Sequence, residues 1–177
     1  MESGFDTYMN SRYNFDRLPK KTLLVRWNGT DDRKQIDLKL TEPFKIDVLS
    51  DIYLDNFTTF SKGKPSATDD SKSAFVLKIN EFNIQSDSAG TVTTNASGNV
   101  ISDNRGGFFN SIVIPADSFY TAAGVSSHKS KKMNYICSAN PTVITKLTGT
   151  VTDLDGNDMF TNASDAFVAE FVFVARN

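Results

Sequence analysis

Three groups of residues in this 177-residue chain have the types from which a reactive or binding site could be built. His128 is the only histidine and Cys137 the only cysteine, nine residues apart. In a thiolate–imidazole pair the imidazole takes the thiol proton, which requires a base held on a firm element. His128 sits instead in SSHKSKK (126–132), a run without apolar anchors, while Cys137 falls on an expected strand. A serine–histidine–acid triad fails on the same ground, and a tetrahedral zinc site wants about four such ligands, which two residues cannot supply. Cys137 reads as a small buried apolar residue.

The second group is Asp153-Leu154-Asp155-Gly156-Asn157-Asp158. Closely spaced carboxylates suggest a calcium loop, but the EF-hand places Gly sixth and Glu twelfth. Here Gly156 is fourth from Asp153 and Asp165 thirteenth, so the segment reads as a tight turn. The third group is Lys129, Lys131 and Lys132, a cationic loop. Nucleic-acid binding by such a loop wants interleaved aromatics and a basic chain. This chain carries 19 Lys+Arg against 21 Asp+Glu, a net charge of −2. The three lysines therefore read as a solvated loop or an interface with an acidic neighbour, with no specific nucleic acid. The expected protein is not an enzyme and has no catalytic, cofactor-binding or metal residues. Arg105-Gly106-Gly107 occurs once and makes no repeat. Asn28, Asn56, Asn95 and Asn162 each open an Asn-X-Ser/Thr sequon, which a chain this rich in those residues produces by chance.

The elements that would position these groups are strands. Hydrophobic residues make up 39% of the chain, which suits short strands joined by long polar loops. Phe occurs 14 times against one Trp and five Tyr, as in an aromatic all-β core. One cysteine allows no internal disulfide and fits a reducing compartment. The start lacks an apolar signal region and no window approaches the ~18 apolar residues of a membrane span. A chain without secretion signal or transmembrane segment is expected.

Residues 1–21 follow neither period and read as an N-terminal arm. Phe5, Tyr8, Tyr13 and Phe15 are spaced through its polar sequence as anchors for a partner's surface. Strands are expected at 22–27, 35–40, 44–48 and 52–60, the last with a mixed pattern that places it deeper in a sheet. Residues 74–82 form another strand, and the shifted phase of Phe82 and Ile84 predicts a β-bulge near Glu81. Further strands are expected near 91–94 and at 111–115, 133–137 and 142–151, with loops at 61–73, 86–107 and 116–132. Residues 166–175 (AFVAEFVFVA) are apolar at both parities except Glu170, so this strand buries both faces, centrally or under a neighbouring subunit.

No helical period reaches ten residues, and helix content below about 10% is expected. Eight or so short strands with crossing loops predict an all-β antiparallel β-sandwich. The length fits a single eight-stranded jelly roll over 22–177 with an extended N-terminal arm at 1–21 better than a seven-strand immunoglobulin domain.

Residues 48–60 (VLSDIYLDNFTTF), 75–86 (FVLKINEFNIQS), 109–115 (FNSIVIP) and the TVTDLDGN turn with its final AEFVFVA strand carry a resemblance. In these segments the chain resembles capsid proteins of large icosahedral nucleocytoplasmic double-stranded DNA viruses, chlorovirus-like. It looks like their minor capsid proteins, single jelly rolls of modest size that lie between or beneath major capsomers. The resemblance covers about two thirds of the chain and has strand and turn patterns as its motifs, with no catalytic signature. It implies a structural virion protein, assembled in the host cytoplasm, that cements capsomers or fills gaps between them, the penton included. The implied partners are the major capsid protein, other minor capsid proteins and further copies of itself. A second class is a non-catalytic ligand-binding sandwich, such as a carbohydrate-binding or trimeric cytokine-like jelly roll. A sugar binder would cluster aromatics on one face, and Trp27 stands alone in its strand.

Overall fold

Alternating side chains make each strand two-faced, and burying one face of each requires a second sheet. A computed structural model describes residues 18–28, 34–60, 73–86, 92–103, 110–116, 125–127, 133–160 and 165–176. They contain eleven strands and no helix. The strands are β1 (Lys20–Asn28), β2 (Gln35–Ile46), β3 (Ser50–Phe60), β4 (Ala74–Ile79), β5 (Val92–Thr94) and β6 (Val100–Asp103). The remainder are β7 (Ile112–Pro115), β8 (Val125–Ser127), β9 (Asn134–Ala139), β10 (Thr142–Thr152) and β11 (Ala166–Ala175).

Two antiparallel sheets result, one ordered β1-β11-β3-β8 with β9 also on β3, the other β2-β10-β4-β7. Strands β8 and β9 take successive stretches of the same edge of β3, the former at Thr58–Phe60 and the latter at Ser50–Leu54. They count as one interrupted strand. The pairs β1–β11, β2–β10, β3–β9 and β4–β7 then describe a long hairpin folded over on itself, alternate pairs going to alternate sheets. This is an eight-stranded jelly roll. A separate two-stranded hairpin, β5–β6, sits at the tip of the long hairpin, where a single edge strand is expected from the sequence. Its turn is held by Asn95, whose Oδ1 accepts from the N–H groups of Ser97 and Asn99.

The core is aromatic and falls into two groups. At one end Trp27 stacks on Phe167 at 5.4 Å and meets Phe160 at 5.0 Å, while Phe57 bridges the sheets to Phe75 at 5.2 Å. At the other, Phe82 meets Phe171 edge-on at 4.9 Å and Phe44 packs on Phe173 at 4.8 Å. Strand β11 runs through both groups. Phe167, Ala169, Phe171 and Phe173 point inward and are buried; Val172 and Val174 on the outer face are buried as well. The two-faced strand is thus central, covered within its own chain.

Bulges explain why some strands read poorly. In β3, Glu170 faces Asn56 but Phe171 faces Leu54, leaving Asp55 as an extra residue. Ile52 and Leu54 therefore point inward on one side of it and Phe57 and Thr59 on the other, all buried. The mixed pattern of 52–60 is an alternation that slips by one. Strand β2 is continuous where two strands, 35–40 and 44–48, are expected. Residues 40–43 bulge from the ladder between the Lys146–Lys39 and Ile144–Phe44 pairs. Pro43 is tolerated because β2 is an edge strand and the ladder does not use that N–H.

The bulge expected near Glu81 is absent: β4 ends at Ile79, and Phe82 donates its N–H to the Ile79 carbonyl in a turn. Phe82 and Ile84 are buried from the following segment. Glu81 has another role, its two carboxylate oxygens each accepting at 2.8 Å from Thr148, one from the N–H and one from the hydroxyl. Next to it, a Cβ on Gly149 would lie 1.8 Å from the Lys78 carbonyl oxygen, so the β4–β10 approach requires glycine. Residues 111–115 read as a short buried strand, but β7 is buried on one face only, with Val113 exposed. The sheet also begins at Lys20, two residues inside the segment read as arm.

Candidate partner-binding surfaces

The aromatic anchors Phe5, Tyr8, Tyr13 and Phe15 lie outside the described residues, as do His128 and the loop lysines Lys129, Lys131 and Lys132. Of the cysteine–histidine pair set aside on sequence grounds, Cys137 is described: it lies on β9 opposite Ile52 and is buried. Burial pushes its thiol up to about 11, which leaves it protonated and unreactive at neutral pH.

The acidic segment is a turn. The Asp153 Oδ1 accepts from the N–H groups of Asp155 at 2.9 Å and Asn157 at 2.8 Å. The backbone closes through Asp153 N–H to the Asn157 carbonyl, with Gly156 at φ 80°. A left-handed residue is needed there, and glycine supplies it without steric cost. Asp153 is buried and engaged with its own backbone, which is a structural duty.

Trp27 is the other residue with a chemical reading. Only 2% exposed, it donates its Nε1–H to the Gln35 carbonyl at 2.8 Å. It ties β1 to the start of β2 and cannot serve as a sugar-stacking platform.

The exposed large apolar side chains among the described residues are few and dispersed. Leu24 on β1 is 65% exposed, Tyr135 on β9 52%, and Val143 on β10 53%. Val113 on β7 and the Val48-Leu49 turn at the end of the sandwich add to these. Tyr135 belongs to a polar strip on the outer face of the first sheet. Its hydroxyl is 3.1 Å from Ser138 Oγ, which donates to Asp51 at 2.7 Å, and Arg176 Nε approaches the same carboxylate oxygen at 2.8 Å. Tyr53 meets the Tyr135 ring edge-on at 5.7 Å, and partial burial beside Asp51 raises its hydroxyl above the usual phenol range.

Two concavities flank β1. A groove of about 380 Å³ runs between β1 and the bulged part of β2, walled by Leu23 to Arg26 on one side and Leu38 to Phe44 on the other. A smaller apolar notch of about 230 Å³ opens at the end of the sandwich among Pro19, Ile46, Val48 and Phe173. Lys21 and Lys45 meet Asp47 at its rim, at 2.6 and 3.1 Å, and the Lys21 hydrogen bond, followed by that of Lys45, holds the Asp47 carboxyl below its ordinary range.

The sequence reading missed Leu24. Its signal was present: on the outer face of β1 the residues run Lys20, Thr22, Leu24, Arg26, and Leu24 breaks an otherwise polar series. No protein-family model matches this chain, and no curated protein matches it.

Proposed function

We propose that this chain is a structural component of a large icosahedral double-stranded DNA virus particle, a minor capsid protein that joins or fills between major capsomers without catalysis. The observation that carries the reading is the distribution of exposed apolar residues over separate surfaces of a jelly roll. Leu24 lies on one sheet edge, Tyr135 on one outer face, Val113 and Val143 on the other sheet, and Val48 at one end. A lattice component needs several modest contacts whose strengths multiply when engaged together. An enzyme or small-ligand binder needs one concave site with convergent polar groups. The resemblance of residues 48–60, 75–86 and 149–175 to minor capsid proteins supports the same conclusion, as does the buried, protonated state of Cys137. A non-catalytic ligand-binding sandwich draws support only from the apolar notch beside Phe173.

The arm residues Phe5, Tyr8, Tyr13 and Phe15 are proposed anchors and Lys129, Lys131 and Lys132 a proposed interface loop. Deleting residues 1–17 is expected to leave the sandwich folded, since its first strand starts at Lys20. Incorporation into particles should fall severalfold when the truncated and full chains compete. Equal incorporation of the two chains would remove the arm from the binding surface.

A further inference from the structure

The jelly roll leaves four strand edges, and they differ in what they can accept. An edge strand displays unpaired N–H and C=O groups, which another strand can satisfy. On β2 the ladder is interrupted by the 40–43 bulge and Pro43. Strand β7 is four residues long and ends in Pro115. The β8–β9 edge is split into two short pieces. By contrast β1 keeps nine consecutive pairs with β11 without a bulge, contains no proline, and has a strand on one side only among the described residues. Beside it lies the 380 Å³ groove, on whose far wall Leu38, Leu40 and Phe44 are half-buried.

We propose that β1 pairs antiparallel with β1 of a second copy of this chain across a two-fold axis through Leu24. The sequence of the strand is compatible with a second copy and favours one register. A two-fold relating antiparallel strands keeps each side chain on its own face of the sheet, so residues of like parity must oppose each other. Only registers centred on a residue are then open. Centring on Leu24 gives the full nine pairs: Lys20 opposes Asn28, Lys21 opposes Trp27, Thr22 opposes Arg26, Leu23 opposes Val25, and Leu24 opposes itself.

No cation stands directly opposite a cation in this arrangement, and the most exposed large apolar side chain among the described residues stacks on its own symmetry mate. Centring on Leu23 shortens the ladder to seven pairs and sets Lys20 against Arg26 twice; centring on Arg26 shortens it to five and opposes Arg26 to itself. Centring on Val25 keeps cations apart but also shortens the ladder to seven and sets Leu24 against Arg26. Like charges directly opposite are destabilising. The cations that would guard this edge against arbitrary strands are thus compatible with the strand itself in its longest register. Pairing would extend the first sheet across two subunits and place the second β1 along the mouth of the groove. The inference is independent of the capsid reading, because it concerns the isolated chain.

Sedimentation velocity of the full chain at about 10–100 µM tests it, read beside circular dichroism. Wild type is expected to sediment as a dimer. Leu24→Lys sets two ammonium groups on the axis and is expected to shift the protein to monomer, with an unchanged spectrum. In chain dilute enough for both proteins to be monomeric, the melting curve is also expected to be unchanged, because Leu24 is 65% exposed. Thr22→Glu places a carboxylate opposite Arg26 of the second copy twice over and is expected to tighten the dimer about fivefold, an effect that salt removes. A monomeric wild type, or a dimer indifferent to Leu24→Lys, overturns the pairing and leaves the edge to another occupant. A dimer weakened by Leu24→Lys but not tightened by Thr22→Glu overturns the register.

Discussion

Strands β1 and β11 lie side by side through nine unbroken pairs, yet they do opposite work. Strand β11 has a neighbour on each side, and its outward Val172 and Val174 are buried like its inward phenylalanines. Strand β1 has β11 alone among the described residues, and its outer face shows Thr22, Leu24 and Arg26 to solvent. Composition follows position: β1 carries Lys20, Lys21 and Arg26 in nine residues, whereas β11 has Glu170 as its one charge in ten. One strand is buried between two neighbours, and the other presents its outer face to solvent. Two strands paired with each other thus differ in burial because they differ in number of neighbours.

That contrast can be broken most sharply at Phe171, which is fully buried and meets Phe82 edge-on. Phe171→Ala is expected to cost about 3–5 kcal/mol in denaturant unfolding of the isolated chain. A cost below about 1 kcal/mol would mean that the centre of β11 contributes little without a partner. Cys137, on the opposite flank of β3 from β11, gives a smaller effect that depends on pH. Its folded thiol titrates near 11 against an ordinary value of 9.0, so the folded chain holds this proton more tightly than the unfolded one.

The stability linked to Cys137 is complete below pH 9 and is lost as pH rises towards 11. Between pH 8 and 11 wild type should lose about 1–2 kcal/mol more than Cys137→Ala, because holding a proton tenfold more tightly is worth roughly 1.4 kcal/mol. Parallel pH profiles for the two proteins would show that the thiol is not desolvated. The smallest effect belongs to β1: Leu24→Ala should change stability by within about 0.5 kcal/mol, measured in chain dilute enough to be monomeric. A larger loss there would place Leu24 in the core and erase the contrast.

Where the chain alternates without interruption, the sequence was readable. Leu23, Val25 and Trp27 on β1 and the two-faced apolarity of β11 are explicit in residue order. The abundance of Phe likewise announced the two aromatic groups that fill the sandwich. Reading failed where one extra backbone residue moved the phase, at Asp55 in β3 and at residues 40–43 in β2. A bulge leaves composition unchanged and reverses every side chain beyond it. Pro43 looked like the end of a strand because its tolerance depends on an edge position, which pairing decides and local sequence does not. Phe82 was assigned to the strand before it, although the turn after Ile79 carries it into the core. Leu24 escaped notice for a related reason. Alternation marks it as outward, but only the sheet order makes that outward face part of a free edge.

The central claim is that the chain works by occupying a place in a shell, and its abundance in particles tests this most directly. Under the proposed reading, particles of a large icosahedral DNA virus carrying this chain's gene would be purified, stripped of loosely bound protein with salt and mild detergent, and the chain quantified against the major capsid protein. A fixed ratio that survives washing and repeats between preparations, with matching density for a single jelly roll between or beneath capsomers, is the predicted result. A chain absent from washed particles, or present in a ratio that varies with preparation, would contradict the account.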